Sequence, residues 1–247
     1  MPNRVVLEIC VESVEHAVAA ECGGANRVEL CSDMSIGGIT PSAGLMRVAR
    51  QHVRIPIFVL VRPRRGDFFY SRIEFETMVA DIEAAKKMGM DGIVLGLLNP
   101  RSEVDIPRTR ELVELARPLP VTFHHAFDAA PHLQRALKAV IKTGAKRILT
   151  SGGQPRAADN LAGLAKLVER AGKQISIMPG GGINARNVAR ISNQTLAREI
   201  HTSLGTSLES SNGGSRPRPG KDGANGLKSF ERRVEELAML LAGEGRS

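Results

Sequence analysis

Short apolar runs alternate along the chain with longer stretches whose apolar residues recur at helical spacing. The short runs are four to six residues long and rich in Val, Ile and Leu, which is typical of strands that are buried on both faces. We predict strands at about Val5–Cys10, Arg27–Cys31, Ile57–Arg62, Gly92–Leu97, Val121–His124, Arg147–Thr150, Ile175–Met178 and Arg198–His201. Helices are predicted at about Ser13–Gly23, Ser42–His52, Arg72–Met88, Pro107–Ala116, Pro131–Thr143, Ala157–Ala171, Asn184–Ser192 and Lys228–Leu241.

The strict alternation of strand and helix predicts a parallel sheet, because each helix carries the chain back to the start of the next strand. Eight such units in 247 residues favour a single α/β domain over residues 1–247, closed as a (β/α)₈ TIM barrel. An open, doubly wound sheet is the alternative. That fold commonly has a Gly-x-Gly-x-x-Gly turn after the first strand, and this chain lacks it.

One long segment, Ser203–Gly226, has the composition of a loop. It is rich in Gly, Ser, Pro and Arg, and it separates the last predicted strand from the last helix. Such a segment cannot pack into a core, so we expect it to be flexible. Its place after a strand would put it at the catalytic rim of a barrel. The segment is either a flexible connector or a basic flap that becomes ordered over an anionic ligand.

Charge and composition narrow the classes of function. The net charge of +8 favours anionic ligands or a partner that meets a basic surface. Aromatic residues make up only 3% of the chain and Trp is absent, so we expect no specific nucleic-acid binding. Three cysteines with no secretory signal indicate a reducing, cytoplasmic setting, and no apolar run is long enough to span a membrane.

The first two predicted strands share one four-residue motif. Leu7-Glu8-Ile9-Cys10 and Val28-Glu29-Leu30-Cys31 both read apolar, Glu, apolar, Cys. Successive strand side chains point to opposite faces, and paired strands lie about 4.8 Å apart, so neighbouring copies would gather two carboxylates and two thiols. The thiols, Cys10 and Cys31, are either small buried residues or a soft-metal site that selects Cu(I). The carboxylates are either interior ion-pair partners, of Arg62 for example, or a general acid/base pair.

Other candidate site residues follow the later strands. His124, with Asp128 four residues on, is either a packed core histidine or an acid/base group. Glycine-rich turns after the sixth and seventh strands are either tight connections or a cradle for an anion. We therefore predict catalytic roles for Glu8, Glu29, His124 and Asp128, and substrate-binding roles for Arg62, Arg64, Ser151, Gly180, Gly181, Gly182 and His201.

Residues 4–204 resemble the CutC family, which is described as a family of copper-homeostasis proteins. The resemblance is carried by Leu7-Glu8-Ile9-Cys10, Arg27-Val28-Glu29-Leu30-Cys31, Gly37-Gly38-Ile39-Thr40-Pro41-Ser42, Arg62-Pro63-Arg64, Gly66-Asp67-Phe68, Pro120-Val121-Thr122-Phe123-His124, Ala126-Phe127-Asp128, Leu149-Thr150-Ser151-Gly152 and Met178-Pro179-Gly180-Gly181-Gly182-Ile183. It implies a TIM barrel that forms homo-oligomers, with a dimer favoured. It also implies Cu(I) binding at Cys10 and Cys31.

Two hypotheses of function follow. The first is a cytoplasmic, CutC-like protein of copper homeostasis that binds Cu(I) through its paired cysteines. The second is a TIM-barrel enzyme that uses acid/base chemistry of the lyase, isomerase or hydrolase kind on a small anionic substrate, for example a phosphorylated one. A third class, a non-catalytic partner-binding protein, is supported only by the basic charge.

Overall fold

The computed structural model describes residues 5–204 and 224–243. Its strands are β1 Val6–Val11, β2 Arg27–Leu30, β3 Ile57–Leu60, β4 Gly92–Leu95, β5 Val121–Phe123, β6 Arg147–Thr150, β7 Ser176–Pro179 and β8 Glu199–Thr202. Its α-helices are α1 Val14–Cys22, α2 Ala43–His52, α3 Arg72–Lys87, α4 Ile106–Ala116, α5 Leu133–Thr143, α6 Leu161–Ala171, α7 Val188–Thr195 and α8 Ala224–Gly243. Short 3₁₀ turns cover Met34–Ile36, His125–Phe127 and Ala157–Asp159.

The eight strands form one parallel sheet in the order β7-β6-β5-β4-β3-β2-β1-β8. Because β1 pairs with both β2 and β8, and β7 lies beside β8, the sheet curls into a nearly closed barrel. The predicted TIM barrel is confirmed. A doubly wound sheet is excluded because its strand order reverses at the middle of the sheet, whereas here each strand up to β7 follows its predecessor.

Two helices begin four residues later than the sequence pattern predicts, and asparagine side chains explain both. α6 begins at Leu161 rather than Ala157, because the Asn160 side chain caps it by accepting from the Gly163 amide at 3.0 Å. α7 begins at Val188, because the preceding turn is held by the Asn187 side chain, which accepts from the Asn184 amide at 2.9 Å.

The extent of the domain stays a prediction. Most of the loop expected at residues 203–226 lies outside the described residues, although α8 begins at Ala224, before the predicted Lys228. Within residues 5–204 and 224–243, no helix is both long and apolar enough to cross a membrane.

The strands divide their side chains between two environments. Leu7, Ile9 and Val28 face the helices and belong to the main apolar core. Glu8 and Cys10 alternate with them and point into the barrel, as the period of two requires. The β1–β2 register then sets Cys10 beside Glu29 and Glu8 beside Arg27.

A charged layer crosses the barrel interior beneath the C-terminal rim. Arg27 contacts both Glu8 and Glu199, and Arg147 contacts Glu199 from the other side. The Phe58 ring packs against both guanidinium groups, with its centroid 4.7 Å from the Arg27 carbon and 5.4 Å from the Arg147 carbon. These buried charges pair with one another, so the interior carries them without leaving a charge uncompensated.

Candidate functional site

A cavity of about 290 Å³ opens at the C-terminal ends of the strands. Six of the predicted site residues line it: Cys10, Glu29, Cys31, Arg62, His124 and His201. The remaining wall is formed mainly by loop and apolar residues, namely Met34, Ile36, Gly37, Gly38, Leu60, Phe68, His125, Leu149 and Ser203. Barrel proteins place their chemistry at this end, so the cavity is the candidate site.

The two predicted thiols are neighbours in the cavity wall. Cys10 Sγ and Cys31 Sγ lie 3.4 Å apart, and neither is in a disulfide. The hydrogen bond with Cys31, burial and the nearby Glu29 carboxylate together raise the pKa of Cys10 well above its usual value. The free protein therefore holds Cys10 as a neutral thiol that must lose its proton before it can bind a metal as thiolate.

A carboxylate and an imidazole complete a group of potential metal ligands. Cys10, Glu29 and His201 each offer one ligand atom, and these atoms lie within 4.8 Å of one another. Cys31 is outside that group but borders it through its contact with Cys10. Sulfur and imidazole nitrogen are ligands that Cu(I) and Zn²⁺ accept, whereas a carboxylate suits harder cations.

Glu8 lies below the cavity and supports it. One carboxylate oxygen contacts Arg27, and the other is 2.7 Å from His201 Nδ1. Burial would raise the pKa of Glu8, but the charges of Arg27 and His201 outweigh it and lower that pKa to about 2. Glu8 is thus an interior ion-pair partner, of Arg27 rather than of Arg62. Its predicted catalytic role stays a prediction.

The contact with Glu8 also makes His201 bind its proton more tightly than a free histidine does. Burial lowers the pKa of His201, but its hydrogen bond to Glu8 and the charge of Glu29 outweigh burial, and the net shift is upward. His201 thus holds a proton to higher pH than a free histidine, and its Nδ1 lies 3.9 Å from Glu29 Oε2.

Glu29 is the carboxylate that borders the cavity. Its Oε1 accepts a hydrogen bond from Cys10 Sγ at 3.6 Å, and its Oε2 is buried without a hydrogen-bond partner in the described part of the chain. Burial raises the pKa of Glu29 despite the opposing charge of His201. A carboxyl with a raised pKa and a free oxygen is suited to proton transfer, which keeps its predicted acid/base role open.

His124 is held as a neutral ring whose tautomer is set by the main chain. Its Nδ1 accepts from the Ala126 amide at 3.1 Å, so the ring proton sits on Nε2. Burial first, and then the positive charges of Arg62 and His125, lower the pKa of His124 to about 3. At neutral pH the ring therefore presents an N–H donor, and its predicted acid/base role stays a prediction.

Gly96 leaves the space that the His124 ring occupies. A Cβ at position 96 would lie 2.5 Å from both Nδ1 and Cε1 of His124. We expect Gly96→Ala to displace the ring and to lower the free energy of unfolding by about 1–3 kcal/mol, as overpacking does. Urea unfolding measures this.

The control is Gly44→Ala on α2, where the nearest side-chain atom would be 3.8 Å away. That substitution should be neutral or stabilising by up to about 1 kcal/mol, because alanine favours a helix. Equal stability of the two variants would mean that His124 does not need the space.

Asp128 organises the rim instead of lining the cavity. Its carboxylate accepts from Thr150 Oγ1 at 2.5 Å, from the Ser151 and Gly153 amides at 3.0 and 2.8 Å, and contacts His125 Nδ1 at 2.7 Å. Burial opposes ionisation, yet the bond with His125 and these other donors lower the pKa of Asp128. The carboxylate thus fixes the turn after β6.

The other predicted anion-binding residues also lie outside the cavity lining. Ser151 Oγ donates to the Gln154 carbonyl at 2.5 Å, and the Gly180–Gly182 turn packs against the β6 end. Arg64 forms ion pairs with Asp67 at 2.9 Å and Glu74 at 2.5 Å. Their ligand-binding roles stay predictions.

Some site residues were not predicted from the sequence. Arg27 could have been, since it shares the inward face of β2 with Glu29 at a spacing of two residues. Met34 and Phe68 carry no such signal, because they reach the cavity from loops whose paths the sequence pattern does not define.

The fold and the cavity define a class: a TIM-barrel protein with a buried thiol pair at its rim, beside a carboxylate and an imidazole. The model of the CutC family matches residues 5–206. The chain is 47% identical over 208 residues to the copper homeostasis protein cutC homolog of Homo sapiens. The matched region covers 84% of this chain and 76% of that protein. The family protein CutC of Chromobacterium violaceum is 42% identical over 237 residues, 96% of each chain.

Structure gives the same result. The crystal structure of CutC from Streptococcus agalactiae matches with a TM-score of 0.77 and 32% identity, over 81% of this chain and 98% of that one. The chain belongs to the CutC family.

Proposed function

We propose that this protein acts in copper homeostasis, as the names of its relatives suggest, and that it binds Cu(I) through Cys10 and Cys31. The observation that supports this most is the 3.4 Å separation of the two sulfur atoms. Two sulfurs this close need little rearrangement to share one soft ion. Cytoplasmic location and homo-oligomer formation remain part of the proposal.

The side chains beside the thiols would add to the coordination of the ion and would not replace the thiols as its main ligands. Cu(I) prefers sulfur ligands, so Cys10 and Cys31 would carry the affinity, with His201 or Glu29 within reach as a further ligand. Binding must release the thiol protons, because thiolate is the ligand form. Affinity for Cu(I) should therefore rise with pH.

Anaerobic Cu(I) titration against a chromophoric chelator tests the proposal. We expect the wild type to withdraw one Cu(I) per chain, and Cys10→Ser with Cys31→Ser to weaken binding by more than about 100-fold. That size follows because the loss of outer-sphere partners alone costs about 10–100-fold in metal affinity.

Cys22 provides a matched control, since it is a free cysteine on the exposed side of α1. Cys22→Ser should bind Cu(I) as the wild type does. Equal binding by the double variant and the wild type would remove the thiol pair from the function.

A further inference from the structure

Arg62 is a buried cation in the cavity wall that has no carboxylate partner among residues 5–204 and 224–243. It is 6% exposed, and its guanidinium donates to main-chain carbonyls and lies beside the neutral Tyr70 hydroxyl. Nη1 bonds to Gly38 at 2.8 Å and Ile36 at 3.2 Å, and Nη2 bonds to Gly66 at 3.0 Å. These bonds fix the group in place but leave its charge uncompensated, which is costly in a protein interior.

His124 adds an unused donor on the same side of the barrel. Its Nε2 is buried and has no hydrogen-bond partner in the described ranges. The Phe68 ring packs against both groups, with its centroid 5.2 Å from the Arg62 guanidinium carbon and 5.1 Å from the His124 ring centre. Gly96, the residue after β4, has no side chain, and the His124 ring occupies the space beside it. A buried donor without an acceptor is uncommon and points to a ligand.

The two sides of the cavity therefore differ in charge. The ends of β3 to β5 supply a fixed cation and an N–H donor, whereas β8, β1 and β2 supply His201, the thiols and Glu29. A single negative charge placed at the β3–β5 side would compensate Arg62 and accept from His124 Nε2. The proposed Cu(I) site occupies the other side, so this feature is not explained by it.

We propose that the β3–β5 side of the cavity binds the carboxylate group of a small organic anion through Arg62 and His124. A carboxylate fits better than a phosphate, because this side offers one guanidinium and the His124 N–H, His125 is paired with Asp128, and the glycine turn after β7 does not line the cavity. The volume of about 290 Å³ lies at the lower limit for ligand pockets, which restricts the ligand to metabolite size.

Affinity labelling tests this with iodoacetate, which is itself a small carboxylate. It alkylates a thiolate by forming an S–C bond while iodide leaves, and neutral iodoacetamide reacts in the same way. The rate ratio of the two reagents is measured by mass spectrometry at Cys10 and Cys31 and divided by the ratio at exposed Cys22. We expect this normalised preference for iodoacetate to be about tenfold or more, the scale of one hydrogen bond to a charged group.

Arg62→Gln should bring the preference down to that of Cys22, and Arg62→Lys should keep part of it because the charge is retained. His124→Gln, a second variant with an uncharged replacement, should retain the Arg62-dependent part. A preference of one in the wild type, or an unchanged preference in Arg62→Gln, counts against the proposal.

Equilibrium binding covers the case of thiols that are too buried to react. Malonate should raise the melting temperature of the wild type more than sodium chloride at equal ionic strength, and this excess should vanish in Arg62→Gln. The proposal is overturned if neither experiment shows a preference that depends on Arg62. Cu(I) titration of the same variants reports on the thiol pair separately, so either proposal can fail without the other.

Discussion

Glu8→Gln should lower the free energy of unfolding at neutral pH by about 3–5 kcal/mol, the usual cost of breaking a buried ion pair. Glu8 is fully buried and neutralises Arg27 and His201 from one position. After the substitution, Arg27 and Arg147 share the single carboxylate of Glu199. The interior then holds an excess of positive charge. Denaturant unfolding of the two proteins measures the loss.

Two further variants separate ion pairing from a general effect of the substitution. Glu76→Gln breaks the surface ion pair between Glu76 and Arg72, whose side chains are 60% and 93% exposed respectively. It should lower the free energy of unfolding by less than about 0.5 kcal/mol. Arg27→Met combined with Glu8→Gln removes one charge of each sign. The double variant should be more stable than the sum of the single losses predicts, by about 1–3 kcal/mol. Additive losses would show that the pair does not act as a unit.

The repeated motif apolar-Glu-apolar-Cys of β1 and β2 shows what a sequence pattern can predict. A period of two indicates that Glu8 and Cys10 share a face, and pairing of adjacent strands brings the second copy near. The sequence pattern does not reveal the stagger between the strands. In the barrel the copies are offset by two residues, so the main chain of Cys10 pairs with Glu29, and the thiol of Cys31 meets that of Cys10 diagonally. An offset of two keeps every side chain on its face but changes its neighbours.

That offset explains why the main partner of Glu8 was not predicted. Aligned copies would set Glu8 beside Glu29, which suggests two carboxylates with interacting pKa values. The actual register sets Glu8 beside Arg27 on one strand and His201 on the other, so Glu8 has opposite charges on both sides. Barrel shear is a property of the closed sheet as a whole, and no single strand encodes it.

The hydrogen bonds of Asp128 could not be predicted from its position in the sequence. A carboxylate four residues after His124 has the spacing of an acid/base partner, yet it contacts His125 and caps the turn after β6. Asp side chains often satisfy nearby main-chain amides in this way. Only the three-dimensional path of the loop decides which of the two a given Asp does.

His124 should destabilise the folded protein as pH falls from about 6.5 to 4.5, by up to about 1.4 kcal/mol per pH unit. In the unfolded chain the ring takes up a proton near its ordinary pKa of 6.5, but in the folded protein burial, Arg62 and His125 lower that pKa to about 3. Between these values the unfolded state binds one more proton than the folded state. Falling pH therefore favours unfolding across this interval.

The comparison that isolates this effect is the wild type against His124→Gln. Glu29, with its raised pKa, titrates above 4.5 with the opposite sign, and His201 contributes above 6.5, where its stabilisation is lost as pH rises. Both groups are present in the two proteins, so the difference between the unfolding free energies cancels them. That difference should move by about 2 kcal/mol in favour of His124→Gln between pH 6.5 and 4.5.

Exposed His52 on α2 provides the control, since His52→Gln removes an imidazole without changing the cavity. It should follow the wild-type profile. Parallel profiles for the wild type and His124→Gln would instead mean that the folded ring accepts a proton in this range. That result would contradict the neutral, hydrogen-bond-donating ring, and it would favour the proton-transfer role that the sequence suggests for His124.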